Sequence, residues 1–142
     1  MKKSSLIIIG VFAVTSLFAQ TKTNKSVPLI VQSAFAKQYP TVKNVNWDIE
    51  ATNYEASFDL NGLDNSALFN VNGKILETET EIKQLPKEIL AALKAKYPNH
   101  KILETGKITN SKSVVTYEVE IKGKDLIFDS KGKLIDEIKK EK

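Results

Sequence analysis

Hydrophobic positions along this chain change period in a fixed order, and the order occurs twice. Within residues 27–40, Val31, Phe35 and Tyr39 recur every four positions, and within residues 85–98 Ile89, Leu93 and Tyr97 do the same. That spacing stacks apolar side chains on one face of a helix. Pro28 and Pro86 suit the first helical position, where a missing N–H costs nothing. The residue before a proline is pushed out of helical geometry, so both helices are expected to stop near Tyr39-Pro40 and Tyr97-Pro98. Further on the period falls to two. Tyr54, Ala56, Phe58 and Leu60 alternate with Glu55, Ser57 and Asp59, while Val115, Tyr117, Val119 and Ile121 alternate with Thr116, Glu118 and Glu120. One apolar and one polar side per strand predicts a half-buried antiparallel sheet. Asn61-Gly62, Asn72-Gly73, Lys122-Gly123 and Lys131-Gly132 mark its turns.

The two passages are related in detail. At an offset of 58, both prolines of each helical segment, the pair Ala34/Ala92 and the Tyr-Pro ending coincide. At an offset of 59, residues 69–77 reappear as 128–136. Between these anchors residues 54–58 are answered by 117–121, with a longer turn before the second copy. Self-similarity on this scale predicts an α+β fold of two tandem repeats, 27–82 and 83–139. Each repeat is expected to be one helix followed by a four-stranded antiparallel meander, with the helices packed on one face of the sheet. A unit of about 60 residues is marginal without staples, and the chain has no Cys. No Gly/Ser/Pro-rich linker separates the repeats, since residues 79–84 run directly from strand to helix. One domain over 27–139, sharing a core or a continuous sheet, is therefore expected.

The beginning of the chain reads differently. Lys2 and Lys3 precede an apolar run from Leu6 to Val14, which closes on Ser16-Leu17-Phe18-Ala19-Gln20. Basic start, apolar middle and small residue form a secretory signal peptide, with cleavage expected after Ala19 and a short polar linker over 20–26. An uncleaved anchor is the competing reading, but a span takes about 20 apolar residues and this run is shorter. No cysteine follows it to carry a lipid. The mature protein is expected to be periplasmic or secreted, without a transmembrane segment.

Charge and composition narrow the chemistry. The formal charge is +4, of which Lys2 and Lys3 carry two, and all 21 basic residues are Lys. Without Arg the chain lacks the bidentate fork that favours phosphate and guanine, so nucleic acid is not an expected partner. The absence of Cys excludes thiol catalysis and thiolate metal sites. His100, the single histidine, follows a helix-ending Tyr-Pro and reads as a turn residue; no Gly-x-Ser-x-Gly elbow accompanies it. Gly73-Lys74 and Gly132-Lys133 lack the other elements of a phosphate loop and read as turns. No cofactor or metal is implied and no enzyme is expected, although any two of the 17 acids could pair in a carboxylate-dependent hydrolase.

Two features remain as partner-binding candidates. Glu77, Glu79 and Glu81 alternate along one strand and so share a face, which Glu55 and Asp59 could join, with Glu118 and Glu120 answering in the second repeat. Such a face could attract a basic peptide, a cationic surface or Ca²⁺; alternatively it is a solvated side neutralised by neighbouring Lys. The second candidate is Trp47, the only tryptophan, opposite Thr105 at the repeat offset. Trp is enriched at binding hot spots. Val45 and Trp47 nevertheless fall on one side of a strand, which predicts burial against the first helix, with Leu103 as the core equivalent of Val45.

Read in order, Val27-Pro28 to Tyr39-Pro40, Val45-Asn46-Trp47, Tyr54-Glu55-Ala56, Asn72-Gly73-Lys74 and Glu77-Thr78-Glu79 resemble the PepSY-like family of small secreted bacterial proteins. That family is also described as beta-lactamase-inhibitor-protein-like. The resemblance implies tandem helix-plus-sheet repeats with a curved sheet, and by fold analogy an inhibitory or ligand-binding role. The expectation is an exported, non-catalytic binding or inhibitory module acting through the polar sheet face on a periplasmic or cell-envelope protein or peptide. A structural envelope-associated protein is the alternative, and a carboxylate-dependent hydrolase ranks below both.

Overall fold

Two short helices form where the four-residue apolar spacing places them, and the prolines before them set where they begin. In the computed structural model, which describes residues 26–140, α1 spans Leu29–Gln38 and α2 spans Lys87–Lys96. The expected signal peptide, 1–19, and most of the linker lie outside the described residues. Pro28 and Pro86 are the N-caps rather than the first helical residues. Their ψ angles of 144° and 145° are extended, while the fixed proline φ suits either position. The Pro28 carbonyl accepts from the Val31 and Gln32 amides, and the Pro86 carbonyl from Ile89 and Leu90. Each helix closes with its tyrosine amide donating to the residue four back, Tyr39 to Phe35 and Tyr97 to Leu93.

After α1 come β1 (Asn46–Glu50), β2 (Asn53–Leu60), β3 (Leu63–Phe69) and β4 (Ile75–Glu81); after α2 come β5 (Ile102–Asn110), β6 (Val115–Ile121), β7 (Lys124–Asp129) and β8 (Leu134–Lys139). All eight form one open antiparallel sheet in sequence order. The halves meet at β4 and β5, where Glu79 lies opposite Ile108 and Glu81 opposite Gly106.

Both helices lie on one face. Val31 and Phe35 pack with Ala56, Phe58, Ala67 and Phe69; Ile89 and Leu93 pack with Val119, Ile121, Leu126 and Phe128. Burying an aromatic or branched side chain of this size contributes about 1.5–3 kcal/mol each. The first cluster is aromatic, with Phe35 edge-on to Trp47 at 5.5 Å and to Phe58 at 5.1 Å between ring centroids. The second cluster is aliphatic around its single Phe128, and Tyr97 there donates to Glu137 Oε2 at 2.6 Å, tying α2 to β8. Leu103 does not take the core position expected for it. A register shift between Ile102 and Glu104 breaks the alternation of β5, leaving Leu103 50% exposed.

The β3–β4 and β7–β8 turns share one construction. Asn70 Oδ1 accepts from the amides of Asn72 and Lys74, and Asp129 Oδ1 from those of Lys131 and Lys133. A left-handed glycine, Gly73 or Gly132, completes each turn beneath a helix. The β5–β6 turn repeats the scheme around Asn110, but Ser113, at φ 61°, holds the left-handed position.

At Gly132, φ is +82° and a Cβ would stand 2.6 Å from the Glu88 carbonyl oxygen of α2. Gly132→Ala is therefore expected to destabilise the protein by about 2–3 kcal/mol, combining backbone strain and displacement of α2. Gly62→Ala, at φ +75° with nothing within 4 Å, should lose only about 1 kcal/mol. Urea unfolding of the two variants checks the difference. Equal losses would show that α2 does not rest on this turn. Ser113→Gly should stabilise by about 0.5–1 kcal/mol in the same assay, through relief of left-handed strain.

Candidate functional site

The pairing register assigns every candidate acid to a face. Ala56, Ala67 and Thr78 are mutual partners on the helix side. Their neighbours therefore point to the other side, where one row runs Ser57, Ser66, Glu79, Ile108, Thr116. The rows on either side carry Glu55, Leu68 and Glu77, then Glu81, Gly106, Glu118 and Ile127, then Glu104, Glu120 and Asp125. All six predicted acids, Glu55, Glu77, Glu79, Glu81, Glu118 and Glu120, thus share the helix-free face. Trp47 does not. It lies on the helix side, beside an open hollow of about 220 Å³ lined also by Phe35, Tyr39 and Val45. His100 sits in the turn after α2, edge-on to the Tyr97 ring.

Among the described residues no helix covers the acidic face, yet much of it is dry. Glu55 is 3% exposed, Asp125 2%, and Glu118 and Ser66 are also buried. Side chains of this face must therefore cover one another. Glu79 on β4 senses the charge of Asp125 on β7, three strands away. In a flat sheet that separation would be about 14 Å. Side chains close part of that gap by lying over the strands between, as Glu79 lies over Gly106 of β5.

Burial dominates the electrostatics. It raises the pKa of Glu55 to about 7, helped by Glu50, Asp48 and Glu79; Ser66 tempers the rise, although neither its Oγ nor Glu55 Oε1 completes a well-aligned hydrogen bond. Glu77 is likewise pushed up to about 7, by burial and then by Glu79. Glu79 and Glu118 form a hydrogen-bonded carboxyl pair, both raised first by burial, with repulsion from Glu79 next for Glu118. Two carboxylates this close cannot both ionise, so the pair shares a proton through its hydrogen bond. The pair exists because β5 offers Gly106 beneath it: Glu79 Oε1 lies where a Cβ would be, flat against the sheet.

At the β8 margin stands one cation. The Lys140 ammonium is 2.9 Å from Glu120 Oε2 and 3.0 Å from Asp125 Oδ1. Burial alone would lower its pKa, but these two partners outweigh burial and hold it above the usual value. Between β3 and β6 the face opens into a recess of about 30 Å³, with Asp64, Glu79, Glu81, Glu104, Glu118 and Glu120 around it and Ser66 and Gly106 in its wall and floor. That admits one or two water-sized groups, far short of the several hundred Å³ of an ordinary small-molecule pocket. Among the described residues no group of three acidic or histidine side chains is arranged to hold a metal ion.

Sequence reasoning missed Asp64, Ser66, Glu104, Gly106, Asp125 and Lys140 at this site. Asp125 precedes three apolar residues in its strand, Leu126, Ile127 and Phe128, so alternation gave no facing for it. Glu104 follows the β5 register shift. Lys140 lies beyond the last recognisable repeat position.

The fold and the site define a class: an open antiparallel sheet backed by two helices, with a buried acidic recess on the uncovered face. The chain belongs to the family described as "Putative beta-lactamase-inhibitor-like, PepSY-like", whose pattern matches residues 19–77 and again 53–136. Among solved structures it is similar to one of Bacteroides eggerthii described as "putative periplasmic proteins", with TM-score 0.74 and 19% identity over 80% of this chain and 89% of that one. It is also similar to a DUF2874 family protein of Bacteroides ovatus (TM-score 0.72, 24% identity, 82% and 89% covered). A BLIP-like protein of Bacteroides fragilis follows with TM-score 0.64 and 25% identity, covering 80% and 86%. No curated protein matches.

The raised carboxyl pKa values carry a sign. Between about 4.5, the unfolded value, and about 7 the folded state holds more protons than the unfolded state. Stability from Glu55 and Glu77 is therefore full below about 4.5 and is lost as pH rises through 7. Glu137, lowered by Lys124 and Tyr97, acts oppositely but only below the ordinary carboxylate range. The Tm is expected to be higher at pH 5 than at pH 8 by about 5–10 °C. Glu118→Gln should raise the pH 8 value and flatten the slope. Calorimetry at both pH values checks this, and a Tm that climbs with pH would refute the protonated face.

Proposed function

We propose that the mature chain is an exported, non-catalytic binding module, two copies of a one-helix, four-strand unit spanning 27–139, whose helix-free sheet face receives a basic segment of a periplasmic or cell-envelope protein. One observation carries the reading: the acids of β2, β4 and β6 converge on a single partly buried face where Lys140 pairs with Glu120 and Asp125. Burying carboxyls without a counter-charge costs stability. A cationic partner that binds only the folded state offsets that cost. The family description and the likeness to a BLIP-like protein support a protein-directed, inhibitory sense for the same surface. The periplasmic relative supports the expected address.

The Glu79–Glu118 pair is the one feature that favours a hydrolase, because acid hydrolases also share a proton between carboxyls. A recess of about 30 Å³ leaves no room for a substrate beside it. The Glu79–Glu118 contact is also tighter than the spacing of roughly 5–10 Å that glycoside hydrolysis uses. Binding accounts for the geometry better than catalysis.

The test is a pull-down from periplasmic extract with residues 20–142 as bait, beside the Glu77→Gln/Glu79→Gln/Glu81→Gln variant, each washed at low and high salt. The wild type should retain a basic envelope protein that salt releases, as screening of an ionic interface requires. The triple variant should lose at least about 90% of it, a tenfold change corresponding to about 1.4 kcal/mol. Equal retention by the two baits would overturn the sheet-face reading.

A further inference from the structure

We infer that the open edge of β1, together with the hollow between β1 and α1, receives an extended segment of another protein as an added strand. Basic and apolar residues alternate along that segment, and one aromatic side chain fills the hollow. The inference goes beyond the sheet-face reading, because its contacts are the main chain of β1 and a cavity on the helix side.

The molecule already holds one such contact. Trp47 pairs with Ala56 as Thr105 pairs with Val119, and Ala56 and Val119 are matching core positions of the two clusters. β1 is therefore the counterpart of β5, with Asp48, Ile49 and Glu50 answering Gly106, Lys107 and Ile108. On β5 the corresponding edge is taken by β4, running antiparallel. Among the described residues no strand lies on that edge of β1. Just past β4, the Ile82 amide donates to the Thr105 carbonyl at 3.0 Å, and the Thr105 hydroxyl donates back to the Ile82 carbonyl. An apolar residue thus stands beside the counterpart of Trp47, and the same register turns the Trp47 carbonyl toward the open edge.

Side chains on the two strands are distributed against the usual rule for a bare edge. The interior strand β5 carries Thr105 and Lys107 on its helix side, whereas the edge strand β1 carries Trp47 and Ile49 there, with Ile49 42% exposed. Edges that stay in water are ordinarily guarded by charge, Lys above all. Beside Trp47 lies the hollow of about 220 Å³, walled by Gln32, Phe35, Ala36, Tyr39 and Val45. No residue of β2 lines it, so it opens on the side of the free edge. An apolar cavity of about 150 Å³ already takes a benzene ring. The hollow therefore suits one aromatic side chain, set edge-on against the rings around it.

Charge decides the rest of the segment. On its other side β1 carries Asp48 and Glu50, and Asp48 lies opposite Glu55 of β2. An added strand sets its own residues directly beside these acids, where opposite charge stabilises and like charge repels. Parity then requires basic residues on one side of the segment and apolar residues on the other. Recognition of this kind draws affinity from the main-chain ladder and specificity from alternate side-chain pockets. A second copy of the chain fits less well. Two β1 edges would set acid against acid. The β8 edge, counterpart of β4 at the offset of 59, would set Lys139 against Ile49, while its Lys140 is held by Glu120 and Asp125.

Trp47 is the only tryptophan, so its fluorescence reports on the hollow directly. The test titrates residues 20–142 with the peptide lysine-valine-lysine-phenylalanine-lysine-valine-lysine. Binding should shift Trp47 emission to the blue, reduce its quenching by acrylamide and slow amide exchange along β1. Methylating the valine and phenylalanine amides of the peptide removes the ladder and should abolish binding. Replacing its phenylalanine by alanine should weaken binding at least about tenfold, and so should Ala36→Phe, which fills the hollow from an exposed helix position. Circular dichroism confirms that the variant folds. No binding of the parent peptide, or equal binding by the methylated peptide or by Ala36→Phe, overturns the added strand and leaves the sheet-face module to its own pull-down. Binding lost in Glu77→Gln/Glu79→Gln/Glu81→Gln but kept in Ala36→Phe would move the peptide to the open face and overturn the proposal. Sedimentation that shows the protein alone self-associating, and Ile49→Lys abolishing that association, would make the occupant a second copy and overturn it too.

Discussion

Pairing of β4 with β5 holds the rest of the molecule in place. Across this ladder Glu79 meets Ile108 and Glu81 meets Gly106, so strands from the two halves become one surface. Without it, each half would be a four-stranded meander of about 60 residues with its own bare edge, too small to bury a stable core unaided. With it, the ends of the sheet retreat to β1 and β8, and twist accumulates over eight strands. Across the seam Glu79 lies over Gly106 of β5 and meets Glu118 of β6, so acids of both halves form one partly buried cluster.

The two faces of the sheet then obey different physics. On the helix side, Phe35, Phe58 and Phe69 in one half and Ile89, Val119, Leu126 and Phe128 in the other interlock through apolar contact. Stability there comes from area removed from water. On the open side, Ile108 and Ile127 pack with Ile138 in a small apolar cluster of their own, and beside it the side chains of the face enclose polar atoms. The face is kept together by a proton between Glu79 and Glu118 and by Lys140 at its margin. Glu55 and Glu77 are raised to about 7, and both members of the pair are raised as well, chiefly by burial. The two halves, alike in their helices and turns, differ here: a lysine in one stands where the other has Glu81.

Much of the fold was legible because it depends on local rules. Val31 and Phe35, or Ile89 and Leu93, announce a helix face by spacing alone, and Tyr54 to Leu60 announces a strand by alternation. Alternation also assigned Glu55, Glu77, Glu79, Glu81, Glu118 and Glu120 to one side, because a side chain's face in a strand is fixed by parity. Parity fails where the register slips. The shift in β5 put Leu103 in solvent and hid Glu104 from the reading. It is silent in strands flanked by continuous apolar runs, which concealed Asp125. Trp47 went to the helix side as its partnership with Val45 indicated, leaving the acidic face without an aromatic anchor.

The sequence by itself determined which residues form helices and strands, where turns fall and which side of each strand is polar, since these follow from backbone sterics and from periods of 3.6 and 2. Only the tertiary structure decided that the polar side is dry. Whether a glutamate on a strand meets water or another carboxyl depends on the register between β4 and β5 and on the missing Cβ of Gly106. Those are distances between residues far apart in the chain, and no local pattern encodes them.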